Sequence, residues 1–285
     1  MRFLILESEP APARDERRES VGRSSGETYR DMVASLGPGF QIDLMKPVDG
    51  KAELPGRGTL EGYDGIFLTG SPLHLYEDNA TTRRQVELMR SVFASGTPSF
   101  GSCAGLQVAT VAAGGSVRPS ARGREAAFAR RITRTEAGRA HPLLRERPDV
   151  FDAPAIHTDE VEALPEGATL LAGNRVTAIQ AAEIRFDGGT FWGVQYHPEL
   201  SLGEVAGAIR RQADDLIEEG FAQRPEDLEA HADLIERLHH APDRRDIAWR
   251  LGLDEQVTEV GHRTRELRNF IELLVKPTRS ERGRA

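Results

Sequence analysis

The chain has 285 residues, of which 39% are apolar and 29% charged, and a formal net charge of −8. That length allows one large domain or one domain with an appendage. The acidic balance argues against a general nucleic-acid binder, which needs a basic surface for phosphates. The single cysteine excludes an internal disulfide framework and a Cys-rich zinc site.

The opening "MRFLILES" is a short apolar run with one arginine. It lacks the length and cleavage site of a signal segment and reads as a first strand over Arg2 to Leu6. No run approaches the roughly 18 apolar residues of a membrane span, so no membrane contact and a cytoplasmic location are expected. The stretch "ESEPAPARDERRESVGRSSGE" is polar and broken by Pro and Gly. It reads either as a solvated loop or as a mobile flap, since loops after parallel strands border ligand sites in open α/β sheets. "TYRDMVASLG" sets Met32, Val33 and Leu36 at helical spacing and stops at Gly37.

"FQIDLMKP" and "YDGIFLTGSP" read as strands, the second ending in a Gly-Ser-Pro turn. "DNATTRRQVELMRSVFASG" reads as a helix with Val86, Met89, Val92 and Phe93 on one face. "TPSFGSC" is a strand and "AGLQVATVAAGG" a short helix, so Cys103 falls where a strand turns into a helix. Alternation of β and α elements implies an α/β fold, with a mainly parallel open sheet and helices on both faces, flavodoxin-like in arrangement. From Val117 to Thr190 the pattern is a β-rich excursion, with strands in "AFARRITRT", "DVFDAPAIH", "TLLAGN" and "TAIQAAEIR". "GTFWGVQYHPEL" is a further strand ending in His-Pro-Glu.

Beyond Ser201 three segments read as helices: "SLGEVAGAIRRQADDLIEEGF", "PEDLEAHADLIERLHH" and "GHRTRELRNFIELLVKP". The last carries a stripe of Thr264, Leu267, Ile271 and Leu274. It either packs against the main domain or forms a partner or homo-oligomer surface. Three parts are expected: a main domain over 1–210, a helical C-terminal extension over 211–276, and a frayed basic tail over 277–285. Arg118, Arg122, Arg124, Arg130 and Arg131 read as a solvated strand face or as a surface for an acidic partner.

A strand-turn-helix apex forces an unusual backbone angle on its central residue, and bulky neighbours would clash there. Gly101 and Gly105 suit that need around Cys103. The helix that follows adds partial positive charge, which favours the reactive thiolate. The amide of Ala104 points the same way and can donate to an oxyanion. In "VQYHPEL", His197 and Glu199 are two apart, and residues i and i+2 of a strand share a side. Pro198 holds the preceding residue extended. A nucleophile, a base and an orienting acid are then available, against the bland alternatives of a core thiol and an inert turn.

"GSCAGLQ" resembles the G-x-C-x-G-x-Q nucleophile turn of class I glutamine amidotransferases, and "QYHPE" resembles their His-x-Glu segment. The resemblance covers roughly residues 1–210 and implies a triad of Cys103, His197 and Glu199. "LTGSP" resembles the family's glycine-rich oxyanion strand, so Gly70 or Ser71 is expected to join Ala104 as amide donor. "AIHTDEV" resembles the Ser-His-x-Asp loop of the glutaminase portion of GMP synthetase, with Ile156 in place of the serine. His157, Asp159 and the family-matched Gln107 are thus expected to line the glutamine pocket. The alternatives are a plain polar loop and a solvent-facing helix residue.

The resemblance implies hydrolysis of the glutamine side-chain amide through a cysteine thioester, giving glutamate and ammonia, with no metal or organic cofactor. No G-x-x-x-x-G-K-[ST] phosphate loop is present. Ammonia transfer would therefore need an ATP-dependent synthetase chain in trans. Two further readings stay open: a γ-glutamyl hydrolase of the same fold, and a non-catalytic binding or regulatory protein.

Overall fold

The computed structural model of the chain describes residues 1–49 and 53–284. Its eleven strands are β1 (Arg2–Leu6), β2 (Gln41–Met45), β3 (Gly65–Leu68), β4 (Ser99–Ser102), β5 (Ser116–Pro119), β6 (Phe128–Arg134), β7 (Val150–Pro154), β8 (Asp159–Ala163), β9 (Ala168–Gly173), β10 (Ala181–Phe186) and β11 (Gly189–Val194). Nine of them form one sheet in the order β2-β1-β3-β4-β11-β10-β9-β6-β7. The first five in that order are parallel to one another, and the pairs from β11 outward to β7 are antiparallel. The β-rich excursion is therefore the antiparallel half of the same sheet. It also contains the separate antiparallel pair β5 and β8, two strands absent from the sequence reading.

Two apolar layers sandwich the parallel half. On one face Phe3, Phe67, Phe100 and Trp192 pack against Tyr29 and Val33 of the helix Ser25–Leu36 and against Leu267, Phe270 and Ile271. Phe270 sits edge-on to Phe67 at 5.2 Å. On the other face Leu4, Ile66 and Leu68 meet the helices Ala80–Ser95 and Ala104–Ala112. A third cluster joins Phe128 to the helices Leu202–Arg211, Pro225–His240 and Arg245–Leu251. Among the described residues no helix is long and apolar enough to cross a membrane.

Two expectations are corrected and one open alternative is decided. The polar stretch after β1 is no loop: Ala11–Val21 is a helix, ended by Gly22 in the left-handed conformation (φ 78°). An apolar stripe is not what holds it. Its one buried side chain is Arg14, whose guanidinium donates to the Glu9 carbonyl (2.6 Å) and to Asp49 (2.7 and 2.8 Å). The stripe at Thr264, Leu267 and Ile271 is buried and completes the main core, so it offers no partner or homo-oligomer surface.

The basic end is not frayed either. Lys276–Glu281 is helical, Arg282 donates to Ser95 and Thr97, and Arg284 to the carbonyls of Tyr63 and Glu61. Ala285, the last residue of the expected tail, lies outside the described residues. The arginine run is largely the solvated face expected: Arg118, Arg122, Arg130 and Arg131 are exposed, and only the Arg124 side chain is drawn inward. Arg118 pairs with Glu160 and Glu162, Arg124 with Asp215 and Glu219, and Arg130 with Asp152, while Arg122 donates to the Arg175 carbonyl.

Candidate active site

β4 and β11 are neighbours in parallel register, with Gly101 opposite Gly193 and Ser102 opposite Val194. Both chains leave the sheet at the same edge, the C-terminal edge where open α/β sheets bind ligands. Cys103 follows β4, and His197 follows β11. The sheet order alone thus brings together residues far apart in sequence.

Cys103 is the cap of the helix Ala104–Ala112 and has φ 52°, ψ −112°. A non-glycine residue with positive φ costs on the order of 1–3 kcal/mol and persists only where its surroundings enforce it. Gly101 and Gly105 serve the purpose expected, relieving a clash that bulkier neighbours would make. Neither has positive φ, and what they permit is close approach. A Cβ on Gly101 would meet the Gly105 backbone at 2.9 Å, and one on Gly105 would meet the Leu68 carbonyl oxygen at 2.7 Å.

The His197–Glu199 pair is built by a turn, not by strand alternation. β11 ends at Val194, and the Leu200 amide donates back to the His197 carbonyl (3.4 Å). This returns Glu199 Oε1 to within 2.7 Å of His197 Nδ1, while the Cys103 sulfur, 4.0 Å from the Ile156 carbonyl, also favours the charged imidazole. Burial pushes the His197 imidazole down, but attraction by Glu199 and Cys103 and the bond to Glu199 outweigh it, and His197 is pushed up to about 10.

Behind the carboxylate lies a support that the sequence reading missed. Ser102 Oγ donates to Glu199 Oε1 (2.9 Å), so the Tyr29 hydroxyl donates to Ser102 Oγ (2.6 Å), since a hydroxyl has one proton to give. Ser102 adjoins the cysteine in "GSC", but nothing local in the sequence links it to Glu199 or Tyr29.

Gly70 lies against the site: a Cβ there would sit 2.9 Å from His197 Cε1 and 3.7 Å from Cys103 Cβ. The amides of Gly70 and Ser71 donate to no protein acceptor among the described residues. The Ala104 amide opens a helix and has no intrahelical acceptor. All three suit the oxyanion role.

Cys103 lies where two cavities meet. One, of about 470 Å³, is lined by Leu73, His74, Gln107, His157 and Asp159, and the other, of about 310 Å³, by Glu9, Arg17, Ser25, His197 and Arg211. The first therefore gathers all three residues expected to line a pocket. Gln107 is not a solvent-facing helix residue: it is buried and donates to the Asp159 carbonyl and to Gln195 (3.3 Å each). Asp159 Oδ2 bonds His74 Nδ1 at 2.7 Å.

His157 lines this lobe with both ring nitrogens already committed, to Glu125 Oε2 and to the Asp159 carbonyl (2.9 Å each). It supports the wall. Burial pushes the Glu125 carboxyl up, but His157, Asn174 and Gln180 hold it below its ordinary value. Among the described residues no group of three or more His, Cys, Asp or Glu side chains is arranged to hold a metal ion.

The chain belongs to the class-I glutamine amidotransferase family, whose model matches residues 30–213. It is 36% identical to a γ-glutamyl-L-1-hydroxyisopropylamide hydrolase from a Pseudomonas species, over 98% of this chain and 94% of the relative. It is 32% identical to one subunit of the glutamine-hydrolysing GMP synthase from Methanoculleus marisnigri, over 52% of this chain and 72% of the relative. The fold is that of a glutamine amidotransferase from Thermotoga maritima, with a TM-score of 0.64 at 19% identity, covering 97% and 98% of the two chains. Members of this family are hydrolytic enzymes, and the chain is placed among them.

Proposed function

We propose that this chain is a cysteine hydrolase of γ-glutamyl amides, releasing glutamate and a free amine with no second chain. The observation that carries the reading is the position of Cys103 between two lobes. A glutaminase expels ammonia and needs space on only one side of its nucleophile. A substrate with a bulky amine needs space on both. The similarity to the Pseudomonas hydrolase supports this, because it runs through both lobes and the C-terminal helices.

In this reading the Cys103 thiolate attacks the γ-carbonyl carbon, and the amides of Ala104 and of the Gly70–Ser71 turn hold the resulting oxyanion. The C–N bond breaks as His197, held protonated by Glu199, gives its proton to the departing amine. A glutamyl thioester on Cys103 remains. Water enters, His197 takes its proton, and the hydroxyl oxygen adds to the thioester carbon. Collapse frees glutamate and restores the thiolate. Gln107, Asp159 and the His157-supported wall face the glutamyl half.

A second reading is the glutaminase of an amidotransferase, passing ammonia to a synthetase chain that activates its acceptor with ATP. The family and the similarity to the GMP synthase relative favour it. A substrate panel separates the two. The purified chain is given glutamine and N-alkyl γ-glutamyl amides, and glutamate and amine are quantified. Amine release without ATP or partner, lost in Cys103→Ala, is expected. Hydrolysis of glutamine alone, raised by a synthetase and ATP, would overturn the first reading in favour of the second.

A further inference from the structure

The smaller lobe adds residues from outside the family-matched segment to a lining that mostly belongs to it. Glu9, Glu16, Arg17, Ser25 and Thr28 precede residue 30, and Asp215 follows residue 213. Two helices bring its cations together. Val21 packs where a Cβ on Gly207 would lie, 2.3 Å from Val21 Cγ1. Arg17 is one turn before Val21, and Arg211 is one turn after Gly207. Residues four apart share a helix face, so that contact sets the two guanidinium groups at one cavity wall.

Their bonding differs. Arg17 reaches Glu204 at 3.1 Å and Glu9 at 4.0 Å, although its buried Nε has no acceptor. Glu9 also accepts from the Ser25 amide (3.1 Å), and Asp215 pairs with Arg124 (3.2 Å). Glu16 is exposed at the rim. Arg211 bonds only the Ser20 hydroxyl (2.5 Å), and among the described residues no carboxylate forms an ion pair with it. Burial and the charge of Arg17 push its guanidinium down and outweigh the opposing attraction of the Glu9, Glu16 and Glu204 carboxylates. A bound anion would relieve both.

We infer that this lobe receives an amine leaving group bearing a carboxylate, so that the substrates are γ-glutamyl amino acids or short γ-glutamyl peptides, with Arg211 as the specificity-determining residue. The inference rests on the hydrolase reading above. It departs from the relative's named amide, whose amine carries a hydroxyl instead.

The test compares γ-Glu-L-Ala with γ-Glu-L-alaninol, which differ only in carboxylate against hydroxymethyl. For the wild-type chain kcat/KM should favour the carboxylate by roughly 10- to 100-fold, the scale of one charge-assisted hydrogen bond, and the preference should shrink with added salt. Arg211→Gln should collapse the ratio towards one, and Arg211→Lys should restore part of it. A wild-type ratio of one or below overturns the inference without any variant. So does an unchanged ratio in a folded Arg211→Gln. If neither compound nor any other γ-glutamyl amide is cleaved, the hydrolase reading itself has failed, which is a separate result.

Discussion

On one side of Cys103 the polar side chains bond one another. His157 joins Glu125 to the Asp159 carbonyl, Asp159 holds His74, and Gln107 bridges to Gln195. On the other side donors stand open, with Arg17 Nε lacking an acceptor and Arg211 held only by a serine hydroxyl. A lattice of mutually bonded buried groups, in which only Gln180 Oε1 and Gln195 Nε2 stand without a partner among the described residues, is rigid, and breaking it is costly. It suits recognition of a constant group, here the glutamyl half. Unfilled valences on two packed helices suit a group that varies. The first lobe draws its walls, Asp215 apart, from the segment shared with the family, whereas the second adds several residues that precede that segment.

Both lobes depend on the residue between them, so the largest expected effect is at the proposed nucleophile. Cys103→Ala should lower turnover of every γ-glutamyl amide by at least about 10³-fold. Thermal stability should change little, because alanine keeps the Cβ and the backbone angle of Cys103. Steady-state amine release and a melting curve measure both. Residual turnover within tenfold of wild type would remove cysteine from the mechanism and leave the two lobes without a common centre.

The contrast between lobes is next tested by stability. Glu125→Ala leaves the His157 ring, Asn174 and Gln180 without their buried acceptor. It should cost about 3–5 kcal/mol of unfolding free energy in urea. Arg211→Gln should cost less than about 1 kcal/mol, as expected for a side chain with one weak partner. Equal costs would erase the distinction between a locked wall and an open one.

Between the lobes, Glu199 sets the proton on His197. At pH values below about 10 the imidazole keeps the proton that the leaving amine needs, so the alkaline limb of kcat/KM should lie near there. Glu199→Gln removes the largest attraction that raises His197 and leaves the burial that lowers it opposed by Cys103 alone. The limb should then move to lower pH, toward or below the ordinary histidine value of roughly 6.5. Stability follows the same sign. A raised histidine stabilises the fold fully below its unfolded value and loses that contribution as pH rises through about 10. The variant should therefore fall below wild type in stability mainly at neutral pH and below. A pH–rate profile unchanged by Glu199→Gln would separate Glu199 from His197 function.

The smallest effect belongs to the support behind the triad. Ser102→Ala removes one buried donor to Glu199, worth about 1 kcal/mol, or roughly fivefold in kcat with KM little changed. Tyr29→Phe should act in the same direction and more weakly, since it touches Glu199 only through Ser102. A rise in KM with kcat intact would place both residues in substrate binding instead.

Much of this was legible in the sequence. The apolar run of "RFLIL", the alternation in "FQIDLM" and the helical spacing in "TTRRQVELMRSVF" are local signals, set by which face of an element must leave water. The strand-to-helix junction at Cys103, the glycines around it, and His197 with Glu199 were equally visible, because each lies within a few residues. The helix Ala11–Val21 was not. It is anchored by ion pairs of Arg14 and Arg17 to residues elsewhere, and a helix without an apolar stripe has no periodic signature. Its local cues were only terminal, a proline in its first turn and the closing Gly22.

Only the tertiary structure decided that β4 lies beside β11, and hence that Cys103 meets His197. It also decided that Ser102 backs Glu199, that His157 faces Glu125, and that Phe270 and Ile271 complete the core under β3 and β4. Each of these pairs joins residues far apart in the chain. Sequence periodicity fixes which side of an element is buried, but only the order of strands and the packing of layers fixes what it is buried against.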